Sequence, residues 1–581
     1  MLIYNPPLTD VRFVLGDVLG IDEHIASLDQ DLAHSILEEA GRFAAEVIAP
    51  LNQSGDREGC TRHADGSVTA PTGYREAYRK YQEAGWGTLA LPEEYGGQGL
   101  PHVLATVVEE FLNSACHAFT MYGGLTHGAV EVLVSKGGTA LQAAFLPKLV
   151  SGEWMGTMAL TEAHAGTDLG SIRTRATPGA DGTYAVQGEK IFCSGGEHDL
   201  TENIVHLVLA RLPGAPDGAR GVSLFLVPKV LPNGTRNAVG CGSIEHKMGV
   251  RGSATCVMNF DGATGWLVGR ENEGLAAMFI MMNAARLSCG NQGLAQAELA
   301  YQNAAAYALE RTQGRAPGSA AGSDPLIVHP DVRRMLMEAR TFTEGFRTLV
   351  LWTALQIDLA HAAEAAEQRE AAEALVSLIT PVIKGYGTDK GFQTAVAMQQ
   401  VFGGHGYVVE SGMEQIVRDA RVAMIYEGAN GVQALDLVGR KLVRDGGQAA
   451  ERFFALVEED CANGPEFIAE PLRVALADTR AAATWLLENA ALDPHNLGAG
   501  SYPFMELMGV LAIGWSWVRI AAAAERNLKA GDGDRAAHEA RLATARFCAA
   551  RVLPDTAGLR RNVEAGAETL MSLPPDAFVS R

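Results

Sequence analysis

The chain lacks a CxxC pair, a cluster of histidines with cysteines, and any excess of positive charge. Its eight cysteines stand apart, at Cys60, Cys116, Cys193, Cys241, Cys256, Cys289, Cys461 and Cys548. That scatter excludes a zinc ribbon or a dithiol redox motif and fits reduced, buried thiols, so no metal site is expected. Acidic residues outnumber basic ones, 68 to 47, for a net charge of −21. Nucleic acid and anionic membranes would be repelled and are not expected as partners. No apolar run reads as long enough to span a membrane. The opening MLIYNPPLTD lacks the basic flank and apolar core of a secretion signal, and the final FVSR is no peroxisomal address. These absences set the expectation of a soluble cytoplasmic protein. A GxGxxG fingerprint between a strand and a helix is also missing, which removes the nicotinamide reading.

What is present is size and apolar mass. The chain has 581 residues, 47% of them hydrophobic, which is too long for one core. The hydrophobic period changes twice. Residues 1–156 read as an N-terminal extension and helical domain, with DQDLAHSILEEAGRFAAEVIAPL as an amphipathic helix closed by Pro50 and further helices near 102–116 and 138–150. Residues 157–270 carry short turn-bounded runs such as YAVQGEKIFCS, NIVHLVLARL and GVSLFLVPKV, the pattern of a small β-barrel or sandwich. Residues 271–447 return to long helices and predict a four-helix bundle, with Pro330 at one helix start and a kink at Pro381. Between its first two helices GRAPGSAAGSDP reads as an exposed, mobile loop. Residues 448–581 predict an extra C-terminal helical domain. The fold expected is therefore mainly α with a central β domain, and a ligand could lie where sheet meets helices.

Several stretches could carry chemistry. In IYEGANG a single carboxylate, Glu427, follows Ile425 and Tyr426 and precedes a glycine turn. Burial against that apolar pair would make it a better proton acceptor; an exposed loop acid explains it equally well. Asn430 reads as the cap of the next helix, whose first N–H groups could hold an anion or simply be capped. In QQVFGGHGY, Gly403 and Gly404 allow close backbone approach, or mark a helix stop. MALTEAHAGTDLGSIRT offers hydroxyls and bare backbone beside Glu162, and EKIFCSGG ends a strand in Ser194. Arg286 lies on a helix among apolar neighbours, where snorkelling to solvent is the plain reading. Arg311 and Arg315 close that helix, where cations suit the helix dipole.

In order and spacing, these segments resemble the acyl-CoA dehydrogenase family of flavoenzymes. The resemblance spans about residues 40–445 and is carried by MALTEAHAGTDLGSIRTRA, YAVQGEKIFCSGG, HKMGVRGSATCVMNFDGATGWLVG, ALERTQGR and QVFGGHGYVVESGMEQIVRDARVAMIYEGANGVQ. YNPPLTDVRFVLGDVLG, PLIVHPDVRRML and the C-terminal extension are similar to a larger branch, which includes 3-methylmercaptopropionyl-CoA dehydrogenases and broad fatty acyl-CoA dehydrogenases. The resemblance implies one FAD per subunit and oxidation of an acyl-CoA to its trans-2-enoyl-CoA, in fatty acid metabolism or dimethylsulfoniopropionate degradation. A base takes the α-proton while the β-hydrogen leaves as hydride to flavin N5. Glu427 matches that base; the alternative position for it, before Arg286, is Ala285 here. Met158, Leu160, Thr161, Gly166, Thr167, Phe192 and Ser194 match flavin-lining positions. Arg311 matches a residue reaching the pyrophosphate of a neighbouring subunit's FAD, with Gln400, Gly403 and Gly404 as its partner loop, and Asn430 would replace a missing threonine contact at Ala429. Thr167, Asn283, Arg286 and Gly428 match substrate contacts. Electron-transfer flavoprotein is the implied acceptor and a homodimer the implied assembly. The alternatives are an acyl-CoA oxidase using oxygen and a flavin-bearing DNA-binding relative, which the acidic C-terminal region disfavours.

Overall fold

The computed structural model describes residues 2–25, 28–179, 181–320 and 322–579. The chain divides into two compact units, Glu39–Ser288 and a second made of Met1–Glu38 with Cys289–Arg581. The long helices are numbered α1 (His102–Lys136), α2 (Gly274–Glu310), α3 (Pro330–Ala362), α4 (Ala366–Val401) and α5 (Pro494–Ala530). The division falls within α2.

In the unit Glu39–Ser288, α1 was expected to end at Cys116. There the backbone does leave helical geometry (φ −160°, ψ 95°), but the helix resumes and runs to Lys136. A helix Thr139–Val150 follows. Then come strands β1 (Trp154–Ala159), β2 (Arg175–Pro178), β3 (Tyr184–Ser194), β4 (Asn203–Arg211), β5 (Val222–Pro228), β6 (Val239–Ile244) and β7 (Thr255–Val268). Among the described residues they form one sheet in the order β1-β4-β2-β3-β7-β5, with β6 on β7. Antiparallel pairing of β4 with β5, from Val205↔Pro228 to Arg211↔Val222, joins the sheet back on itself. Of the barrel or sandwich expected, the barrel forms, with β1 and β6 each paired on one side only. β4 and β5 are buried along nearly their whole length, so they read as continuous apolar runs rather than alternating ones. Val205, Leu207 and Leu209 of β4 face a core shared with Leu133 and Phe145 from the helices and Met278 from the start of α2.

In the second unit α3 begins with Pro330 as its first residue, as expected. It stops at Ala362, before the predicted AEAAEQ, and α4 runs on through Pro381. The predicted fourth helix is short: Asn430–Asp436 passes into a wider π-type turn at Leu437–Val443. The C-terminal helices Gln448–Asn463, Glu466–Asn489, α5 and Arg535–Arg551 pack against the bundle. Trp515 of α5 meets Trp352 of α3 edge-on at 4.8 Å, and Trp517 Nε1 donates to Thr341 O at 2.9 Å. The leading segment belongs here too: Asp10 pairs with Arg541 at 2.7 Å, and that guanidinium lies 3.9 Å from the Phe13 ring centre.

One sequence expectation is corrected. α5 is long and apolar enough to cross a membrane, where none was expected; 89% of its most apolar window is buried inside the protein, so here it serves as a core helix. The described residues of the GRAPGSAAGSDP loop are mostly exposed, as expected, and its two ends are joined. Gln313 and Asp324 exchange backbone contacts across it, with Gln313 N to Asp324 O at 2.9 Å and Asp324 N to Gly314 O at 2.9 Å. The Asp324 carboxylate accepts from Ala316 N–H at 2.8 Å and Ser319 Oγ at 2.9 Å, which holds its pKa below the usual range.

Candidate active site

The site residues predicted from sequence fall in both units, and each group is built locally. In the barrel unit, the end of β3 carries a bulge. Register with β7 shifts between Lys190 and Cys193, and Phe192 adopts a left-handed φ of 56°. A bulge re-aims the side chain it displaces, and Phe192 is 60% exposed. The bulge is tied to the segment after β1. Ile191 N–H donates to Thr161 O at 2.8 Å, and Lys190 Nζ donates to Leu160 O at 2.9 Å. Met158, Leu160, Thr161, Phe192 and Ser194 are thereby brought together, with Gly166 and Thr167 exposed on the same loop.

Glu162, read from sequence as a candidate chemical carboxylate, is the structural pin of this corner. It is buried and accepts from Arg173 N–H (2.7 Å), Thr174 N–H (3.0 Å), Thr174 Oγ1 (2.6 Å) and Lys190 Nζ (2.8 Å). Burial alone would raise its pKa; the Lys190 charge and these donors outweigh burial and hold it at about 2. Lys190 was missed by sequence reasoning, although a lysine inside the otherwise strand-like EKIF was a signal. Arg286 is buried on α2, not snorkelling, and its Nη1 donates to exposed Asn283 Oδ1 at 3.3 Å.

In the other unit, Glu427 is half-buried and has a left-handed φ of 54°, followed by Gly428 at 86°. A non-glycine residue in that region costs roughly 1–2 kcal/mol and needs surroundings that enforce it. Gln433 Nε2 donates to Glu427 O at 3.1 Å and to Gly428 O at 3.2 Å, and Lys384 Nζ donates to Gly428 O at 2.8 Å. A Cβ on Gly428 would lie 2.6 Å from Gln433 Nε2 and would displace that donor, while the positive φ favours glycine on its own. Tyr426 hydrogen-bonds Gln292 through its hydroxyl.

Asn430 does not cap the helix: the cap position falls on Ala429, and no side-chain cap bond forms. Its carboxamide is turned inward. Nδ2 donates toward Gly385 O (3.0 Å), Thr388 Oγ1 (2.9 Å) and Asp389 Oδ1 (2.9 Å), and Oδ1 accepts from Lys384 Nζ (2.9 Å). Those bonds fill the capacity of an amide, so the expected contact of this side chain with a cofactor is corrected to a structural role.

At the far end of α2, Tyr307 stacks on Phe402 at 4.1 Å and meets His405 Nδ1 through its hydroxyl at 3.1 Å. That stack sets Arg311, one turn on, beside the loop with Gln400, Gly403 and Gly404. All four are exposed, and a Cβ on either glycine would meet open space.

Taken unit by unit, each group fits a part of a flavin dinucleotide. An exposed aromatic ring with apolar Met158 and Leu160, edged by the Thr161 and Ser194 hydroxyls, suits a planar heterocycle with polar rims. An exposed guanidinium beside bare backbone suits a pyrophosphate.

Comparison with known proteins agrees. Residues 31–153, 157–263 and 272–442 match the N-terminal, middle and C-terminal domains of acyl-CoA dehydrogenases, and 453–574 match an "Acetyl-CoA dehydrogenase C-terminal like" domain. The chain is 44% identical to 3-methylmercaptopropionyl-CoA dehydrogenase of Ruegeria pomeroyi, over 98% of this chain and 100% of that protein. It is 35% identical to the broad-specificity linear acyl-CoA dehydrogenase FadE5 of Mycobacterium tuberculosis, over 99% and 100%. The structure of an acyl-CoA dehydrogenase complexed with FAD from Bacillus anthracis shares the fold, with a TM-score of 0.75 at 20% identity over 92% of this chain and 89% of that one. The chain belongs to the acyl-CoA dehydrogenase family, in the group with an extra C-terminal helical domain, and is an FAD-dependent oxidoreductase acting on CH–CH bonds.

Proposed function

We propose that the protein converts an acyl-CoA thioester to its trans-2-enoyl-CoA, with Glu427 removing the α-proton. The observation that carries this is the strained backbone at Glu427: a carboxylate held in a disfavoured conformation by donors to its own carbonyl and the next. Bound FAD supplies the acceptor for the β-hydrogen and its two electrons. Met158, Leu160, Thr161, Gly166, Thr167, Phe192 and Ser194 line the ring system. Arg311, Gln400, Gly403 and Gly404 hold the pyrophosphate of a second subunit's cofactor. Thr167, Asn283, Arg286 and Gly428 contact substrate, and the Glu427 N–H stabilises negative charge developing on the thioester oxygen. The lead substrate is 3-methylmercaptopropionyl-CoA, supported by the near full-length similarity to the Ruegeria enzyme. Straight-chain acyl-CoAs come second, supported by the similarity to FadE5. Electrons then pass to electron-transfer flavoprotein, from a cytoplasmic homodimer; a stable tetramer in sedimentation would count against that assembly.

The test is anaerobic bleaching of the oxidised-flavin absorbance by a panel of acyl-CoAs that includes 3-methylmercaptopropionyl-CoA. Rapid bleaching by one class is expected. Glu427→Gln should retain FAD and slow bleaching by at least about 10²- to 10⁴-fold, the worth of a positioned general base. Near-normal bleaching in that variant would remove Glu427 from its role.

A further inference from the structure

Glu427 and Gly428 present two consecutive carbonyls to one side of their turn, and buried donors meet both. Lys384 Nζ, fully buried on α4, bridges Gly428 O at 2.8 Å and Asn430 Oδ1 at 2.9 Å. Lys384 can use Asn430 only if the amide oxygen, not the amide nitrogen, faces it. That orientation is set from the other side: Asp389 Oδ1, a pure acceptor, takes the Asn430 Nδ2 proton at 2.9 Å. The other oxygen of Asp389 is held in turn by Tyr502, whose hydroxyl donates to Oδ2 at 2.5 Å. Tyr502 lies on α5, in the C-terminal helical domain. α5 seats tightly on this stretch of α4. A Cβ on Gly385 would lie 2.1 Å from Met505 Sδ, and one on Gly509 2.2 Å from the Tyr386 ring.

We propose that Tyr502 is a positioning residue for α-proton removal: through Asp389, Asn430 and Lys384 it fixes the Glu427–Gly428 turn, which makes the C-terminal domain part of the catalytic apparatus. The inference rests on Glu427 being the base. Each link in the row is a hydrogen bond whose donor and acceptor are determined. Loss of the terminal hydroxyl therefore lets Asp389 and Asn430 reorient, and the strained turn loses its enforced geometry. The ammonium, the amide and the carboxylate are all shielded from water, so no solvent molecule substitutes at once for a lost partner.

Tyr502→Phe in the FAD-loaded enzyme tests this. Tyr502 is 36% exposed, and the substitution removes only the hydroxyl, so the variant opens no cavity. The substrate is the acyl-CoA that best bleaches the wild type, with its α-dideuterated form alongside. The expected result is a fall in kcat of about 10-fold, as a misplaced reacting group produces, with KM and FAD content within about twofold. The primary isotope effect on kcat should rise, because proton removal has become the slower step. Lys384→Met should show the same split with a larger loss; if it does not fold, Tyr502→Phe decides alone. An unchanged kcat, a fall that tracks lost FAD, or a fall without a changed isotope effect each overturns the inference. Failure of the underlying reading looks different: wild type bleached by no acyl-CoA, or Glu427→Gln fully active, both seen without any Tyr502 variant.

Discussion

At the scale of single residues, the chemistry was readable where it is local and unreadable where it depends on a distant partner. IYEGANG exposes its carboxylate and its glycine turn to any reader. The lysine that holds the turn is 44 positions away, in LITPVIKGYG, and nothing in either stretch announces the bond between Lys384 Nζ and Gly428 O. Asn430 shows the opposite failure: helix-start position suggested a cap or a cofactor contact, and tertiary packing turned the amide inward. Gly428 makes the sharpest prediction at this scale. With φ at 86° and a donor 2.6 Å from where a Cβ would stand, Gly428→Ala is strained by conformation and by contact. A cost of about 1–3 kcal/mol is expected, borne locally, with catalysis slowed and the barrel untouched. Flavin reduction in stopped flow should slow at least about 10-fold while the thermal melting of the barrel is unchanged; a variant that reduces at the wild-type rate would show that the turn is not enforced.

Elements were legible by period. Alternation and turn residues announced the β domain, and the 3.6-residue period announced the helices. Register was not legible. Closure through β4 and β5 depends on pairing between strands, and the bulge at Phe192 comes from the shift between β3 and β7 rather than from any local signal. β4 also carries an acid liability. His206 lies inside the barrel with Nδ1 2.7 Å from Thr157 Oγ1, and His198 is buried nearby in the sequence. Burial, helped by the Lys229 charge, pushes each ring from the usual 6.5 down to about 3. Both are neutral when folded, whereas unfolded rings take up protons below pH 6.5. Stability is therefore full above 6.5 and falls as pH drops toward 3, by roughly 1.4 kcal/mol per pH unit for each ring. Hydrogen exchange of the β4 and β7 amides should accelerate between pH 6.5 and 4.5 relative to intrinsic rates, and His206→Gln should flatten that slope. An equal slope in wild type and variant would assign the acid sensitivity elsewhere.

At the scale of the whole molecule, four regions in the right order were legible because composition and period shift together. The place of the first residues was not. YNPPLTDVRF carries no hint that Asp10 will pair with Arg541, since such a pairing needs the fold to bring the two ends of the chain together. The C-terminal helices cover Trp352, Gly385 and Tyr386 of the bundle. A chain ending at residue 447 would expose that apolar face, and it should be recovered insoluble or without FAD. Soluble, yellow and active truncated protein would show the extra domain to be dispensable. α5 adds a consequence in time rather than space. During synthesis it is an apolar segment with the length and composition of a membrane span. Trp352 and Phe453, which meet its Trp515, precede it in the chain and have left the ribosome before it does, whereas the helix Arg535–Arg551 that also packs on it follows. The order of translation thus offers this helix a protein surface at the moment it emerges, and a pause or a break upstream would leave it to choose a lipid one.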